Sequence, residues 1–469
     1  MNEPIAQRIN ADVSIESEDD HRQETCAAPS GNGDIGTPVS APPSAEERNW
    51  RIDEFPEVEA LEERLQELRR KGFESTYFSV HEGVTNEKSL IAGREYLNFS
   101  SYNYLGLSGD PDVTAAAIEA LSRYGTSVSA SRLVSGEKPL HRELEREIAE
   151  FLGCEDAIVM VSGHATNVNV IGNLFGPRDL VIHDRLVHDS ILAGIRLSGA
   201  KRRSFPHNDA DALDRILRRS RDAARRVLIA VEGVYSMDGD IAPLGQIAEI
   251  KRRYKALLLV DEAHSLGVLG QTGRGIAEHS SVSRDDADLW MGTLSKSLAS
   301  CGGYIAGSKR LVRYLKYSNP GFVYSVGISP ANAAAALAAL RKLRAAPGMV
   351  ATLRERSQTF LRLCRRRGIN TGLSQGTAIV PCILGNSWDC LGLSKALAGR
   401  GINVQPILHP AVKEHLTRLR FFVTARHTEA QIEVATNALA EELARIDPHY
   451  LSTNSSFESR RADAARSGG

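Results

Sequence analysis

The sequence predicts an α/β protein, with a large domain built on a mostly parallel sheet and a smaller C-terminal α+β domain. Two observations lead to this fold class. Short apolar runs of strand length alternate with segments of helical periodicity, which is typical of a sheet covered by helices on both faces. Polar residues directly follow these runs, as expected at the carboxyl edge of such a sheet, where ligands bind. The predicted strands of the large domain are residues 157–161, 180–182, 227–231, 257–260 and 289–291.

The 469 residues divide into five predicted segments. Residues 1–50 contain an acidic run and few large apolar residues, which is typical of a disordered tail. Residues 51–95 form an N-terminal helix and arm. The apolar stripe of that helix, over 57–71, most often packs on the body of its own protein or on a partner subunit. The remaining segments are the large domain at 96–345, the small domain at 346–450 and a second disordered tail at 451–469.

The same patterns predict the further elements in order. Helices cover 213–226 and 244–254 of the large domain, between its predicted strands. The small domain mixes the two periodicities and has a sheet of its own. Its predicted helices are 353–367, 391–400 and 429–446, and its predicted strands are 378–384, 402–407 and 419–424.

Composition excludes several classes of function. A net charge of −1 gives no overall indication that the chain binds nucleic acid. The six cysteines show no C-x-x-C spacing, which argues against a metal site and favours a reducing, cytoplasmic setting. The chain has no run of 18 apolar residues and no basic stretch followed by an apolar core. We therefore expect no transmembrane segment.

The hexapeptide Gly-Thr-Leu-Ser-Lys-Ser at 292–297 is the strongest chemical signal. A lysine desolvated at the end of a buried strand has a lowered pKa, and its neutral amine can form a Schiff base with a carbonyl. Lys296 is such a lysine, and Thr293 and Ser295 would bind a phosphate on the same molecule. A lone lysine is usually a solvated surface charge. Asp261 and His264 strengthen the prediction for Lys296, because they follow the apolar run at 257–260.

Short motifs between residues 98 and 442 resemble, in order and spacing, those of the α-oxoamine synthases, a family of fold-type I pyridoxal phosphate (PLP) enzymes. The motifs are at 100–106, 134–136, 162–167, 188–190, 207–209, 232–240, 261–267, 273–275 and 293–296. The resemblance implies PLP as cofactor and a homodimer with active sites at the subunit interface. It also implies the condensation of an amino acid with an acyl thioester, followed by loss of CO₂.

The resemblance implies a catalytic role for four matched residues. Lys296 would be the Schiff-base residue and the base that removes the Cα proton. Asp261 would keep the pyridine nitrogen protonated, since a buried carboxylate stabilises that charge and the charged ring accepts electrons. His188 would stack on the ring. His264, with Ser236 as a second donor, would form a hydrogen bond with the phenolic oxygen of the ring.

Further matched residues would bind the phosphate. Backbone N–H groups of Gly163 and His164 begin a predicted helix, and helix N-termini favour anions. The family usually has Phe or Tyr where His164 stands, and binding through the backbone tolerates that change. Ser325 would reach the phosphate in the neighbouring subunit. Val326 and Gly327 replace hydroxyl residues of the family, which weakens the prediction for this contact.

Two residues are predicted to bind the amino acid substrate. Arg420 matches the arginine that receives the substrate carboxylate, and its guanidinium fits a carboxylate bidentately. Arg418 lies two residues earlier, on the same face of a predicted strand, and is therefore an alternative. Asn103 lies in the polar and aromatic turn at 100–106 and is the second predicted substrate contact.

The segment 102–106, Tyr-Asn-Tyr-Leu-Gly, resembles the catalytic subunit of serine palmitoyltransferase and favours serine with a long acyl chain. This interpretation implies a part in sphingolipid biosynthesis. Other segments suit 8-amino-7-oxononanoate synthase or synthases that use glycine, with alanine also a candidate substrate. Two further alternatives are an aminotransferase with the same fold and a non-catalytic subunit of a heterodimeric synthase. The presence of Lys296 argues against a non-catalytic subunit.

The acyl donor is predicted to be held on an acyl carrier protein. Segment 127–141 resembles the corresponding segment of carrier-protein-linked members of the family. Carrier proteins are acidic, so a basic cluster would steer their encounter. An ordinary solvated helix face explains such a charge run equally well. The cluster consists of Arg215, Arg218, Arg219, Arg221, Arg225 and Arg226, with further candidates at Lys201, Arg202 and Arg203.

Overall fold

A computed structural model describes residues 51–73, 77–409 and 411–451. The predicted tail at 1–50 and residues 452–469 of the predicted tail 451–469 lie outside the described residues, whereas Leu451 belongs to a short 3₁₀ turn. The described residues fall into two structural units, which divide between Lys71 and Gly72. In the first unit, helix α1 (Pro56–Arg70) begins with a proline, and none of its residues is buried. No helix within the described ranges is both long and apolar enough to cross a membrane.

The strands in the described part of the second unit belong to three sheets. In chain order the strands are β1 (His81–Glu82), β2 (Lys88–Ile91), β3 (Arg94–Asn98), β4 (Asp156–Met160), β5 (Leu180–Asp184), β6 (Lys201–Phe205), β7 (Val227–Glu232), β8 (Leu257–Asp261), β9 (Leu289–Thr293), β10 (Gly303–Gly307), β11 (Ile379–Ile383), β12 (Ile402–Asn403), β13 (Pro406–Ile407) and β14 (Arg418–Phe422). The strand orders in the three sheets are β1-β2-β3-β12, β4-β10-β9-β8-β7-β5-β6 and β11-β14-β13.

From β4 to β9, helices alternate with the strands along the chain. After α1 the helices are α2 (Pro111–Tyr124), α3 (Pro139–Leu152), α4 (Gly163–Leu174), α5 (Asp189–Ser198), α6 (Ala210–Ser220), α7 (Leu244–Arg253), α8 (Ile276–Ser280), α9 (Lys309–Ser318), α10 (Pro320–Val323), α11 (Pro330–Ala345), α12 (Gly348–Arg366), α13 (Ser387–Gly399) and α14 (Glu429–Ile446).

The seven-stranded sheet is mostly parallel, as the sequence predicts. Strands β6, β5, β7, β8 and β9 run parallel to one another, and β10 is antiparallel to both β9 and β4. Every residue of β7 is buried because helices cover both faces of the sheet. Strand β10 was not predicted because its sequence, Gly-Tyr-Ile-Ala-Gly, offers only a short apolar run. Strand β6 was not predicted because it is basic and largely exposed at the sheet edge.

Two predicted elements differ from the structure by more than a shift of their ends by a few residues. The predicted helix 213–226 is α6, which ends at Ser220, where the Arg221 guanidinium donates to the carbonyl oxygens of Tyr254 and Ala224. The predicted strand 402–407 is two strands in different sheets: β12 pairs with β3, and β13 pairs with β14. The chain passes from one sheet to the other at Gln405, whose backbone N–H donates to the Ser100 hydroxyl. Apolar periodicity does not reveal such a change of partner.

The C-terminal elements have a hydrophobic core of their own. These elements are helices α12, α13 and α14 and the antiparallel sheet β11-β14-β13. Phe360, Val380, Phe421 and Leu439 are fully buried in this core. This is the α+β pattern that the sequence predicts for 346–450. The boundary at residue 345 itself stays a prediction.

Candidate active site

A cavity of about 250 Å³ lies where the carboxyl ends of β7, β8 and β9 meet the N-terminus of α4. Parallel strands end at the same edge of a sheet, so the polar residues that follow them come together there. The predicted site residues that line this cavity are Gly163, His164, His188, Asp261, His264, Thr293, Ser295 and Lys296.

Lys296 follows β9 and is partly buried in the cavity. Burial lowers the pKa of its amine to about 8, although the carboxylates of Asp261 and Glu232 act in the opposite direction. Its Nζ lies 2.8 Å from Nε2 of His264. A larger neutral fraction near neutral pH makes this amine a better nucleophile toward a carbonyl than an exposed lysine.

Hydroxyls and a helix N-terminus form one end of the cavity. The Thr293 and Ser295 hydroxyl oxygens lie 2.8 Å apart. Helix α4 starts at Gly163, and the Ser162 hydroxyl caps it by accepting from the N–H of Ala165. A Cβ at Gly163 would lie only 2.8 Å from the Thr293 hydroxyl oxygen. The glycine therefore keeps the backbone N–H groups accessible beside two hydroxyls, an arrangement that suits a phosphate.

Asp261 ends β8 and is buried. Its Oδ2 accepts from Nδ2 of Asn167 at 2.8 Å, and its Oδ1 accepts from the N–H of Ala263 at 2.9 Å. Nδ2 of Asn167 also donates to the Ser190 hydroxyl at 3.0 Å. Asn167 thus aims the carboxylate into the cavity. Sequence reasoning gave Asn167 no role, although it lies in the motif at 162–167.

His188 caps the N-terminus of α5, where its Nδ1 accepts from the N–H of Ser190. Burial lowers the pKa of His188, so the ring is held mainly neutral. The His164 ring meets it edge-on, with centroids 6.3 Å apart. His188 therefore presents a neutral, oriented ring to the cavity.

Glu232 ends β7 beside Asp261 and lines the same cavity. Burial, together with the neighbouring charge of Asp261, raises the pKa of this carboxyl well above its ordinary value. Its Oε1 has no hydrogen-bond partner among the described residues. The sequence marked Glu232 as a polar residue at the sheet edge, but assigned it no part in the site.

Strand β14 carries two arginines that differ sharply in their surroundings. Arg418 is buried and donates to Asp238 Oδ1 at 2.8 Å and to the backbone carbonyl of Leu416 at 2.8 Å. Arg420 donates from Nη1 to the Ser236 carbonyl at 3.0 Å, while its Nε has no partner among the described residues. The Tyr102 hydroxyl lies 3.5 Å from Nη2 of Arg420. Of the two, Arg420 is the arginine with donor capacity left for a carboxylate.

Tyr102 connects this arginine to the cavity. Nζ of Lys296 lies 5.7 Å from the centre of the Tyr102 ring, and the ring packs edge-on against Phe422. The neighbouring residue, Asn103, faces elsewhere. Its amide group donates to the Asn86 side chain and accepts from the N–H of Ser108, so it stabilises the turn. Tyr102, which sequence reasoning did not select, takes the position beside Lys296.

Two further predicted residues do not line the cavity of this chain. Ser236 is held near it through its backbone carbonyl, which accepts from Arg420. The Ser325 hydroxyl donates to the carbonyl of Val326 at 3.2 Å. The predicted role of Ser325 concerns a neighbouring subunit and stays a prediction.

A buried ionic cluster holds the segment that carries Ser236. His207 bridges two carboxylates, with Nδ1 2.9 Å from Oδ1 of Asp184 and Nε2 2.7 Å from Oδ2 of Asp240. These carboxylates raise the pKa of His207 to about 10 despite its burial. The imidazolium therefore joins the ends of β5 and β6 to the segment after β7, at neutral pH.

Comparison with known proteins identifies related chains. Residues 94–439 match the family model of aminotransferase class I and II. The 8-amino-7-oxononanoate synthase of Geobacter sulfurreducens is 42% identical over 378 residues, covering 80% of this chain and 96% of that protein. The enzyme of the same name from Thermoanaerobacter pseudethanolicus is 36% identical over 382 residues, covering 81% and 96%.

Solved structures give a second comparison. Serine palmitoyltransferase of Sphingomonas wittichii superimposes with a TM-score of 0.79 at 31% identity, covering 82% of this chain and 97% of that chain. An 8-amino-7-oxononanoate synthase from Francisella tularensis superimposes with a TM-score of 0.66 at 26% identity, covering 75% and 98%.

Proposed function

Because the chain belongs to the α-oxoamine synthase family of fold-type I PLP enzymes, we propose that it condenses alanine with the thioester of a seven-carbon dicarboxylic acid to give 8-amino-7-oxononanoate. Membership of this family confirms the predicted fold, the cofactor PLP and the class of enzyme, a PLP-dependent acyltransferase. The choice of amino acid and acyl chain is the proposal.

The carbon skeleton of the product identifies the two substrates. The nonanoate has nine carbons, with a carboxylate at C1, a ketone at C7, an amine at C8 and a methyl at C9. Decarboxylative condensation keeps Cα and the side chain of the amino acid, so C8 and C9 derive from alanine. The acyl group supplies C1 to C7. The new bond joins Cα to the acyl carbonyl, the thiol leaves, and the amino acid carboxyl leaves as CO₂.

Sequence similarity carries this proposal. Several relatives named 8-amino-7-oxononanoate synthase are 36–42% identical to this chain and are covered over 87–99% of their length. The similar serine palmitoyltransferase structures reach 29–31%. The preference for serine, predicted from segment 102–106, is therefore not supported, and neither is a part in sphingolipid biosynthesis.

The residues of the cavity fit PLP. The Lys296 amine suits its aldehyde, the hydroxyls of Thr293 and Ser295 with the N-terminus of α4 suit its phosphate, and the Asp261 carboxylate suits its ring nitrogen. When bound, PLP supplies an electron sink that stabilises the carbanion formed at Cα. Lys296 would hold the cofactor and, once displaced, accept the Cα proton at Nζ. Its lowered pKa supports this role, since only the unprotonated amine can accept a proton and the lower pKa enlarges that fraction.

The remaining residues would position these groups. Asp261, held by Asn167, would keep a proton on the ring nitrogen. His188 would restrict the ring to one plane, and His264 would donate from Nε2 to the phenolic oxygen. A neutral His188 suits stacking because it brings no charge against the ring.

Arg420 would bind the alanine carboxylate. Its unpartnered Nε and its position next to Tyr102 support this assignment over Arg418, whose guanidinium is used by Asp238. Fixing the carboxylate determines which Cα bond lies perpendicular to the cofactor ring and therefore breaks. The methyl side chain of alanine requires no polar partner.

The same proposal includes that the chain forms a homodimer and that its acyl donor is held on an acyl carrier protein. Three of the six arginines of the predicted basic cluster form ion pairs on the described surface: Arg215 with Asp209, Arg218 with Asp214, and Arg225 with Asp179. This pairing leaves less unbalanced charge for docking than the sequence suggested. The basic strand β6, with Lys201, Arg202 and Arg203 exposed, is then the better candidate for meeting an acidic donor.

The experiment that tests the function is a matrix of substrates. The full-length enzyme with PLP is incubated with alanine, serine or glycine and with thioesters of seven-carbon dicarboxylic, seven-carbon monocarboxylic or sixteen-carbon acids. Released CO₂ and product mass are measured. We expect the highest kcat/KM for alanine with the dicarboxylic thioester. Equal or higher efficiency with serine and the sixteen-carbon thioester would contradict the proposal.

A further inference from the structure

Tyr104 lies behind the cavity and contacts its histidine. The side chain is fully buried, and its hydroxyl oxygen lies 2.7 Å from Nδ1 of His264. The other ring nitrogen of His264, Nε2, lies 2.8 Å from Nζ of Lys296. A tyrosine, a histidine and the reactive lysine thus form one hydrogen-bonded row. Tyr104 has no role in the function proposed above, whose assignment of Lys296 this inference takes as its starting point.

The direction of the hydrogen bonds in this row follows from the proton of the tyrosine. A phenol has one proton to donate, and a buried donor without an acceptor is costly. Within the described part of the chain, Nδ1 of His264 is the acceptor that the Tyr104 hydroxyl contacts. The hydroxyl therefore donates to Nδ1. A neutral imidazole that accepts at Nδ1 carries its proton on Nε2.

We propose that Tyr104 is a positioning residue that holds His264 in the tautomer with its proton on Nε2, so that the ring donates to the Lys296 amine. This arrangement has a consequence for Lys296. An N–H group pointing at Nζ requires a lone pair, which the neutral amine has and the ammonium lacks. Tyr104 thereby favours the neutral, reactive form of Lys296 through His264. His264 can also donate this Nε2 proton in a hydrogen bond to an oxygen atom placed beside the Lys296 amine.

Other groups around the Lys296 amine also affect its protonation. Glu232 from β7 and Asp261 from β8 favour the ammonium, and burial together with Arg420 from β14 disfavours it. His188 at the start of α5 and the Tyr102 ring also interact with this amine. Replacing Tyr104 by phenylalanine leaves all of these in place. It removes only the hydroxyl that selects the tautomer, so Nε2 becomes free to accept a hydrogen bond from the ammonium.

The test measures the protonation of Lys296 directly. The cofactor-free full-length chain is treated with acetic anhydride between pH 6 and pH 11, and acetylation of Lys296 is quantified by peptide mass spectrometry. In the wild type we expect a midpoint near pH 8. In Tyr104→Phe we expect the midpoint to rise by about one pH unit, a tenfold fall in the neutral fraction below the midpoint.

Tyr304→Phe is the matched control. Tyr304 is also fully buried, and its hydroxyl has no hydrogen-bond partner among the described residues. Removal of the Tyr304 hydroxyl should leave the pH midpoint of Lys296 acetylation unchanged. An unchanged midpoint in Tyr104→Phe, or an equal shift in Tyr304→Phe, would overturn the proposal.

A second measurement needs no Tyr104 variant and stands even if that variant fails to fold. Histidine-selective ¹⁵N NMR of the wild type, with the His264 signals assigned by comparison with His264→Gln, reports which ring nitrogen bears the proton. We expect the proton on Nε2. A proton on Nδ1 would refute the inference. Neither measurement uses an amino acid or an acyl donor, so failure here is distinguishable from failure of the proposed substrate assignment.

Discussion

Replacing His207 by glutamine should destabilise the protein strongly at neutral pH and much less at pH 10. His207 bridges Asp184 and Asp240, and the pKa of its side chain rises from 6.5 to about 10. The folded protein therefore binds a proton that the unfolded chain releases above about pH 6.5. The stabilisation is fully present below that pH and is lost as the pH rises through about 10. At 1.36 kcal/mol per pH unit, the loss between pH 7 and pH 10 is about 3–4 kcal/mol.

The assay is urea unfolding of wild type and His207→Gln at pH 7, 8, 9 and 10, followed by tryptophan fluorescence. Comparing the two chains at each pH removes the contribution of other groups, including Lys296, whose lowered pKa acts in the opposite direction. His449→Gln is the control, since this histidine is 90% exposed and its replacement should cost little at any pH. The reasoning is refuted if the difference in unfolding free energy between wild type and His207→Gln is the same at pH 7 and pH 10.

The remaining predictions concern the cavity and the acyl donor. Lys296→Ala should fold but show none of the visible absorbance of the covalently held cofactor; full turnover by this variant would contradict its assignment. Arg420→Ala should raise the KM for the amino acid about 10²-fold, equivalent to roughly 3 kcal/mol of charge-assisted binding, with Arg420→Lys recovering part of it; an unchanged KM would move the role elsewhere. If β6 steers an acyl carrier protein, kcat/KM for the carrier-bound donor should fall steeply with salt, and Arg202→Glu should lower it while sparing the coenzyme A thioester; equal salt dependence of the two donors would exclude this docking surface.

Several site residues were predictable because their signals are local. Asp261 directly follows one apolar run and Lys296 lies five residues after another. Short apolar runs of this kind are typical of buried strands, and parallel strands bring the residues that follow them to one edge of the sheet. The structure brings both into one cavity. The choice between Arg418 and Arg420 was not predictable, since both occupy the same face of β14. It depends on Asp238, which lies 180 residues away and pairs with Arg418.

The amino-acid sequence by itself determined the order of strands and helices, the mostly parallel sheet and the chemistry gathered at its edge, because periodicity and the residue after a strand are properties of neighbouring positions. Only the tertiary structure decided which partner each polar group has. Tyr104 contacts His264 across 160 residues of chain, and Asn167 contacts Asp261 across 94. The split of segment 402–407 between two sheets depends on distant strands in the same way. Hydrogen-bond partners, and the pKa values that follow from burial and from nearby charges, arise from three-dimensional packing, which no local pattern encodes.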